Sequence, residues 1–488
     1  MSSTPVVPVP LIEKYDVVVI GAGPAGERGA AQAAYFGKTV AVIEKGTRPG
    51  GACVNTGTLP SKTFREAALH ISGLASRGLT SAANIELNRA AAAVQMRKRF
   101  AQVASSEHER IRENLGRHNI SYIEGSAVFE SANLIYIYNR AGRIINAIET
   151  KFVLIATGSS PVRPKEVPFD DKTIWDSDSV LGITTIPNSM TVIGGGVIGS
   201  EYASIFAALG TKVYLIDGRD RLMPFIDFEI SDVLMYELKK LGVNYHLKSK
   251  IAEYKIDGDK VSVRLESGEI IETETLLFAG GRNGNTASLG LEKIGIQPDA
   301  RGALKVNENY QTNIPHIYAA GDVIGFPALA STSMDQARLA MCHALELTYK
   351  RRLTEHLPMG VYTIPEVSAV GATEEMLKAK GTDYQVGRAY FVDNARAEIM
   401  GELGGLLKIL FDPKTLKLLG VHIVCERASE IVAPGQIAMS LGARLDFFIE
   451  TVFNYPTLSE AYKYAAYDGL GKLSALGIDT GKAIDEKN

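Results

Sequence analysis

The residues of this chain whose types and spacing suit chemistry begin with two glycine-rich turns and the acids beyond them. Gly21, Gly23 and Gly26 follow the β-branched run Tyr15 to Ile20, and Glu44 closes the next such run, Thr39 to Ile43. Gly194, Gly196 and Gly199 follow Met190 to Ile193, and Asp217 closes Lys212 to Ile216. Each acid stands 23 residues past its first glycine, at 44 against 21 and at 217 against 194. Glycines at this spacing allow a tight turn and let a pyrophosphate approach the N-terminus of the following helix, while the acid takes ribose hydroxyls. A glycine turn alone is often only a turn. With a strand before it, a helix after it and an acid at the end of the second strand, each is a complete dinucleotide-binding unit. The repeat is an internal duplication, and two dinucleotides in one chain imply electron transfer between them.

The elements that must position these residues follow from the pattern. Tyr15 to Ile20 is a short run buried on both faces, as in a parallel sheet, and a small-residue helix runs on to Ala34. Leu87 to Leu115 reads as a charged, solvated connecting helix, Ile120 to Ile148 as a small β meander, and Phe152 to Gly158 as a separate strand. A helix is expected from Ser331 to Ala344, and strands with one helical hairpin from Gly360 to Leu473. The fold class is therefore α/β, with two Rossmann-like dinucleotide-binding domains and a C-terminal α+β domain.

Bulk properties bound the function. The 488 residues suggest about three domains. Hydrophobic residues make up 46% and charged residues 22%, ordinary for a globular protein. The balance of 52 Lys+Arg against 55 Asp+Glu, net −3, offers no basic excess for nucleic acid or an anionic membrane. Three cysteines, Cys53, Cys342 and Cys425, argue against a disulfide framework and for a reducing compartment. The lead from Met1 to Lys14, with Pro5, Pro8 and Pro10, lacks the features of a signal peptide, and no apolar run reaches membrane-span length. A cytoplasmic enzyme with no metal site is expected.

The stretch Pro49-Gly50-Gly51-Ala52-Cys53-Val54-Asn55-Thr56-Gly57-Thr58-Leu59-Pro60-Ser61-Lys62 resembles the redox-active helix of the pyridine nucleotide-disulfide oxidoreductases. That family places a second cysteine where this chain has Thr58, and one thiol cannot close an internal disulfide. The family's His-Pro-Thr-x-x-Glu motif reads Tyr455-Pro456-Thr457-Leu458-Ser459-Glu460 here. Glu460 is kept, but a phenol replaces the histidine base, and its ordinary pKa near 10 makes it a poor proton shuttle. Both halves of the disulfide apparatus are thus altered. Cys53 reads either as a small buried hydrophobe or as a thiol modulating the flavin. Lys62 and Glu201 match the family's pair near the flavin N5, the alternative reading being surface charge.

The resemblance implies FAD in the first unit, with contacts from Gly21, Gly23, Gly26, Glu44, Lys45, Gly51, Cys53, Lys62, Ala127, Gly158, Asp322 and Ala330. The motif Ile317-Tyr-Ala-Ala-Gly321-Asp322 carries the aspartate of the ribityl chain. It implies NAD(H) or NADP(H) in the second unit, at Gly194, Gly196, Ile198, Gly199, Asp217, Arg219, Arg221 and Gly281. An aspartate at 217 suits the 2′-hydroxyl of NAD, whereas Arg219 and Arg221 suit the 2′-phosphate of NADP or are surface arginines. Domain boundaries follow at 1–160 and 286–355 for FAD, 161–285 for NAD(P), 356–475 for an interface domain that makes a homodimer, and 476–488 for a tail.

Flavin and nucleotide units kept, dithiol and base lost: this combination resembles the soluble flavin-dependent pyridine nucleotide transhydrogenases, from about Tyr15 to Leu473. The resemblance implies ping-pong hydride transfer between NADPH and NAD+ through FAD, with Lys62, Glu201, Cys53, Tyr455 and Glu460 at the reacting centre. Three other activities compete with it: a quinone or dye reductase, a disulfide reductase using Cys53, and a non-catalytic flavoprotein sensing the nucleotide ratio.

Overall fold

The computed structural model of the chain describes residues 11–76, 88–402 and 404–477. The Pro-rich lead and almost all of the expected tail lie outside the described residues. The chain divides into two compact units. The first comprises Met1–Pro60, Lys98–Val162 and Gly281–Leu353; the second comprises Ser61–Arg97, Arg163–Gly280 and Thr354–Asn488.

In the first unit the strand Ile12–Ile20 lies at the centre of a sheet, parallel to Val40–Glu44 on one side and Ile144–Ile155 on the other, with Val17 opposite both Val40 and Phe152. Alternate residues of Ile12–Ile20 serve different cores. Val17 and Val19 pack with Ala30, Ala33 and Ala337, while Val18 and Ile20 pack with Phe129, Ile135 and Ile317. This is why the strand reads as an unbroken apolar run, since both faces are covered by other elements. The helix Pro24–Tyr35 lies against the helix Ala330–Ala344, where Gly29 faces Leu154 and Ala337.

Two expectations for this unit need correction. The meander and the strand after it are not separate, because Ile144–Ile155 is one twelve-residue strand. It pairs antiparallel with Leu134–Tyr138 through its first half and parallel with Ile12–Ile20 from Ala147 to Ile155. Nor is the helix Arg89–Arg117 simply solvated. Ala104, His108, Ile111 and Leu115 recur at helical spacing on a buried face. The same helix supplies Arg110 and Asn114 to the buried carboxylate of Glu27, at 3.0 and 2.9 Å from Oε1. Charged residues on the outer face masked this inner stripe.

The second unit holds a parallel sheet ordered Val243–His246, Lys212–Ile216, Ser189–Ile193, Thr275–Phe278, Ile174–Asp176. A three-stranded antiparallel sheet accompanies it. A separate antiparallel sheet of five strands, from Met359–Val361 to Leu418–Cys425, packs against the helices Ala428–Ser440 and Ala461–Ala475. The mixed α/β architecture matches the sequence expectation. Among the described residues, no helix is long and apolar enough to cross a membrane.

Candidate functional site

The two glycine turns have the same geometry for the same reasons. Gly21 and Gly194 both have φ near +103° (+104° and +103°), and a Cβ on either would lie 2.4 or 2.6 Å from a carbonyl oxygen just past a strand, that of Ala156 or Ala279. A Cβ on Gly26 or Gly199 would lie 1.8 Å from the carbonyl oxygen of Gly21 or Gly194, so the helix can close on the turn only without one. The middle glycines differ. A Cβ on Gly196 meets nothing within 4 Å, and one on Gly23 meets only the Gly51 Cα at 3.7 Å. Fold packing therefore does not require glycine at these middle positions. The space beside them, at the N-termini of Pro24–Tyr35 and Val197–Ala208, would suit a phosphate, and each turn is a candidate cradle.

Backbone N–H groups hold the two acids alike. Glu44 accepts from the Ala22 N–H at 2.7 Å and from the Gly46 N–H at 2.8 Å. Asp217 accepts from the Gly195 N–H at 2.5 Å and from the Arg219 N–H at 2.8 Å. Asp217 also carries the Arg219 guanidinium, with Nε 2.8 Å from Oδ1 and Nη2 2.6 Å from Oδ2. Burial pushes the Asp217 carboxyl up, but the Arg219 contacts outweigh it and hold it below the usual carboxylate range. Arg221 points elsewhere. Its Nη1 donates to the Phe228 carbonyl and to Asp232, and its guanidinium lies 4.5 Å from the Phe228 ring centroid.

Around the first cradle, Asp322 accepts from the Ser159 hydroxyl at 2.8 Å, and Arg282 in turn donates to that hydroxyl at 2.9 Å. Thr157 Oγ1 is buried and has no hydrogen-bond partner among the described residues, as suits a group awaiting a ligand. Gly158, with φ +66°, follows it. Gly51 opens the short helix Gly51–Asn55, Ala127 is buried in the strand Ser126–Phe129, and Ala330 opens the helix Ala330–Ala344. Lys45 is exposed. In the second unit Ile198 lies half-buried in the first turn of Val197–Ala208. Gly281, expected with NAD(P), belongs to the first unit; with φ +117° it has open space where a Cβ would be. Both cradles thus fit a dinucleotide by shape and donor set.

Lys62 lies in the helix Thr58–Ser76, and its Nζ is 2.8 Å from each carboxylate oxygen of Glu201. Glu201 is buried and also accepts from the Tyr362 N–H at 2.9 Å and the Ser61 hydroxyl at 3.3 Å. The Tyr362 ring centroid lies 4.7 Å from the same ammonium. One turn further along the helix, the fully buried Arg65 donates to the Thr363 carbonyl at 2.9 Å and to Glu426 at 2.8 Å. Sequence reasoning found Lys62 and Glu201 but missed Tyr362, Arg65 and Ser159, none of which stands in a readable motif.

Comparison with known proteins decides the family. The model described as "Pyridine nucleotide-disulphide oxidoreductase" matches residues 15–337, and that of its dimerisation domain matches residues 357–466. This chain belongs to the pyridine nucleotide-disulphide oxidoreductases. It is similar to a protein of Mycobacterium tuberculosis (strain ATCC 25177 / H37Ra) named "Soluble pyridine nucleotide transhydrogenase", 42% identical over 466 residues covering 95% of this chain and 99% of that one. A protein of the same name from Colwellia psychrerythraea is 42% identical over 469 residues, 94% of this chain and 98% of that one. Among solved structures it resembles the HOCl-induced flavoprotein disulfide reductase RclA from Escherichia coli. There the identity is 29%, the TM-score 0.82, and the coverage 92% of this chain and 98% of that one.

Two motifs set this member of the pyridine nucleotide-disulphide oxidoreductases apart from a dithiol enzyme. Cys53 is half-buried in Gly51–Asn55 and forms no disulfide; Thr58 opens the next helix. Asn55, two residues on, bonds His108 Nε2 at 2.9 Å, which ties the motif to the helix Arg89–Arg117. Tyr455 precedes a cis peptide bond and is 72% exposed in the single chain. Glu460 lies half-buried at the start of Ala461–Ala475. Within one chain the Tyr455 ring is therefore not packed into a core.

Proposed function

We propose that this protein is a soluble pyridine nucleotide transhydrogenase that moves hydride from NADPH to NAD+. The observation that carries the reading is the pairing of two intact dinucleotide cradles with a redox motif in which Thr58 stands in place of the second thiol. The full-length likeness to proteins of that name supports it. FAD, held by the Gly21–Gly26 turn, Glu44, Ser159 and Asp322, supplies a two-electron carrier when bound. The nucleotides occupy the Gly194–Asp217 cradle in turn, so the reaction is ping-pong. NADPH enters and leaves as NADP+, then NAD+ enters and leaves as NADH, with no net proton gained or lost. This balance explains why neither a resolving cysteine nor a histidine base is needed.

Each residue has a task in this scheme. Gly194, Gly196 and Gly199 admit the pyrophosphate. Asp217 takes the 2′-hydroxyl of NAD(H), and Arg219 with Arg221 takes the 2′-phosphate of NADP(H). Lys62 and Glu201 are assigned to the reacting edge on the family's pattern, with Tyr362 fixing the carboxylate. The domain matched by the dimerisation model makes a homodimer; Leu441, Val452, Tyr455, Tyr464 and Tyr467 are exposed in the single chain and available to a second copy.

The test is an anaerobic assay of the purified protein with NADPH and thio-NAD+, run beside one with menadione. Rapid formation of thio-NADH with slow quinone reduction is expected. Flavin bleaching by NADPH without transfer to thio-NAD+ would overturn the reading; fast menadione turnover would then identify a quinone reductase.

A further inference from the structure

Lys408, on the strand Leu406–Phe411 of the five-stranded antiparallel sheet, is fully buried. Its Nζ lies 2.8 Å from Asp227 Oδ1, 2.9 Å from Glu229 Oε2 and 2.5 Å from Glu374 Oε1. The three carboxylates converge closely enough to hold a cation, and the lysine ammonium fills that place. Arg388 reinforces the cluster by donating to both oxygens of Glu229, at 2.7 and 2.9 Å. Burying so many charges is a weak route to stability, because desolvation offsets most of the attraction. What it does achieve is a fixed geometry.

That geometry is imposed on the helix Phe228–Lys240. Asp227 is its N-cap, accepting from the Glu229 N–H at 3.1 Å, while its other oxygen accepts from the Glu374 N–H at 3.2 Å. Glu229 stands in the same first turn. This turn also carries Arg221, through the Phe228 carbonyl, the Phe228 ring and Asp232. Both hydrogen bonds use Nη1, which leaves Nε and Nη2 to donate elsewhere. Asp217 and Arg219 are anchored differently. Gly195 holds the Asp217 carboxylate, the Ser249 N–H donates to the Asp217 carbonyl at 3.1 Å, and the Lys248 N–H donates to the Arg219 carbonyl at 2.9 Å. The two ends of the 217–228 segment are therefore fixed by different parts of the unit.

We infer that Lys408 is a positioning residue for recognition of the 2′-phosphate: it fixes the helix turn that sets Arg221, while recognition of the 2′-hydroxyl by Asp217 does not depend on it. The inference rests on the assignment of Arg219 and Arg221 to NADP(H) made above. It predicts a selective effect, because loosening the helix displaces Arg221 and leaves Asp217 in place.

The experiment is calorimetric titration of the flavin-loaded full-length protein with adenosine 2′,5′-bisphosphate and, separately, with ADP. Lys408→Met should weaken the bisphosphate about tenfold, the size of one charge-assisted contact, and ADP by less than about twofold. Arg388→Gln, which removes only the outer part of the cluster, should shift the ratio the same way and less. Equal losses for both ligands, or no change in either, would overturn the inference. If Lys408→Met does not fold, Arg388→Gln decides alone, and an unchanged ratio in that variant is the overturning result. A wild-type protein that binds ADP but not the bisphosphate would instead reject the NADP(H) assignment beneath the inference, so the two failures are distinct.

Discussion

Lys62 sets its ammonium 2.8 Å from both carboxylate oxygens of Glu201, a residue 139 positions away in the sequence. The Lys62 side chain is 23% exposed and that of Glu201 only 4%, so the carboxylate relies on this cation and on the Tyr362 N–H. Removing the cation leaves a buried charge with neutral donors alone. Lys62→Met should therefore cost about 3 kcal/mol in urea unfolding. Glu201→Gln keeps an acceptor for Tyr362 and should cost nearer 1 kcal/mol. Both variants should slow NADPH-to-thio-NAD+ transfer; a Lys62→Met protein as stable as wild type would show that the pair is not needed to neutralise Glu201.

The glycines of the second cradle separate folding from binding. A Cβ at position 199 would lie 1.8 Å from the Gly194 oxygen, so Gly199→Ala should lower the melting temperature or prevent folding. A Cβ at 196 touches nothing, so Gly196→Ala should melt within about 1 kcal/mol of wild type. Its cost should appear as weaker binding of both NADPH and NAD+. Differential scanning calorimetry beside nucleotide titration checks the contrast, and equal destabilisation by the two substitutions would refute it.

Cys53 has no second thiol to close on, so Cys53→Ser should retain most of the transhydrogenation rate and should not change its preference for nicotinamide acceptors. Loss of all activity in this variant would favour a disulfide reductase that recruits an external thiol.

Acid should weaken the Lys408 cluster. Burial pushes the Glu374 carboxyl up, but the Lys408 and Tyr384 contacts outweigh it and bring it down to about 2, from an ordinary 4.5. A carboxylate whose pKa is lower in the folded state contributes its full stabilisation above pH 4.5 and loses it as pH falls toward 2. Asp227 and Glu229 shift in the same direction. The urea midpoint should fall steeply over that range in wild type and less steeply in Glu374→Gln. Parallel profiles for the two proteins would show that Glu374 is not a principal acid-sensitive group.

The local motifs were legible because their chemistry is local. Gly26 and Gly199 must be glycines for contacts made within one strand–turn–helix, and Glu44 and Asp217 sit where a fixed strand length puts them. The unbroken apolar run Val17 to Ile20 likewise encoded burial on two faces, and the substitutions at Thr58 and Tyr455 showed which apparatus was altered. Tertiary structure decided everything that depends on distant partners. Nothing near Lys408 in sequence announces Asp227 and Glu374, and Arg65 reaches Glu426 only because helix and sheet pack together. The sequence set Arg219 and Arg221 side by side as equivalent arginines; folding put one on Asp217 and the other on Phe228. Spacing along the chain specifies a backbone turn, but which buried charge meets which is fixed only when packing excludes water and leaves each one a single partner geometry.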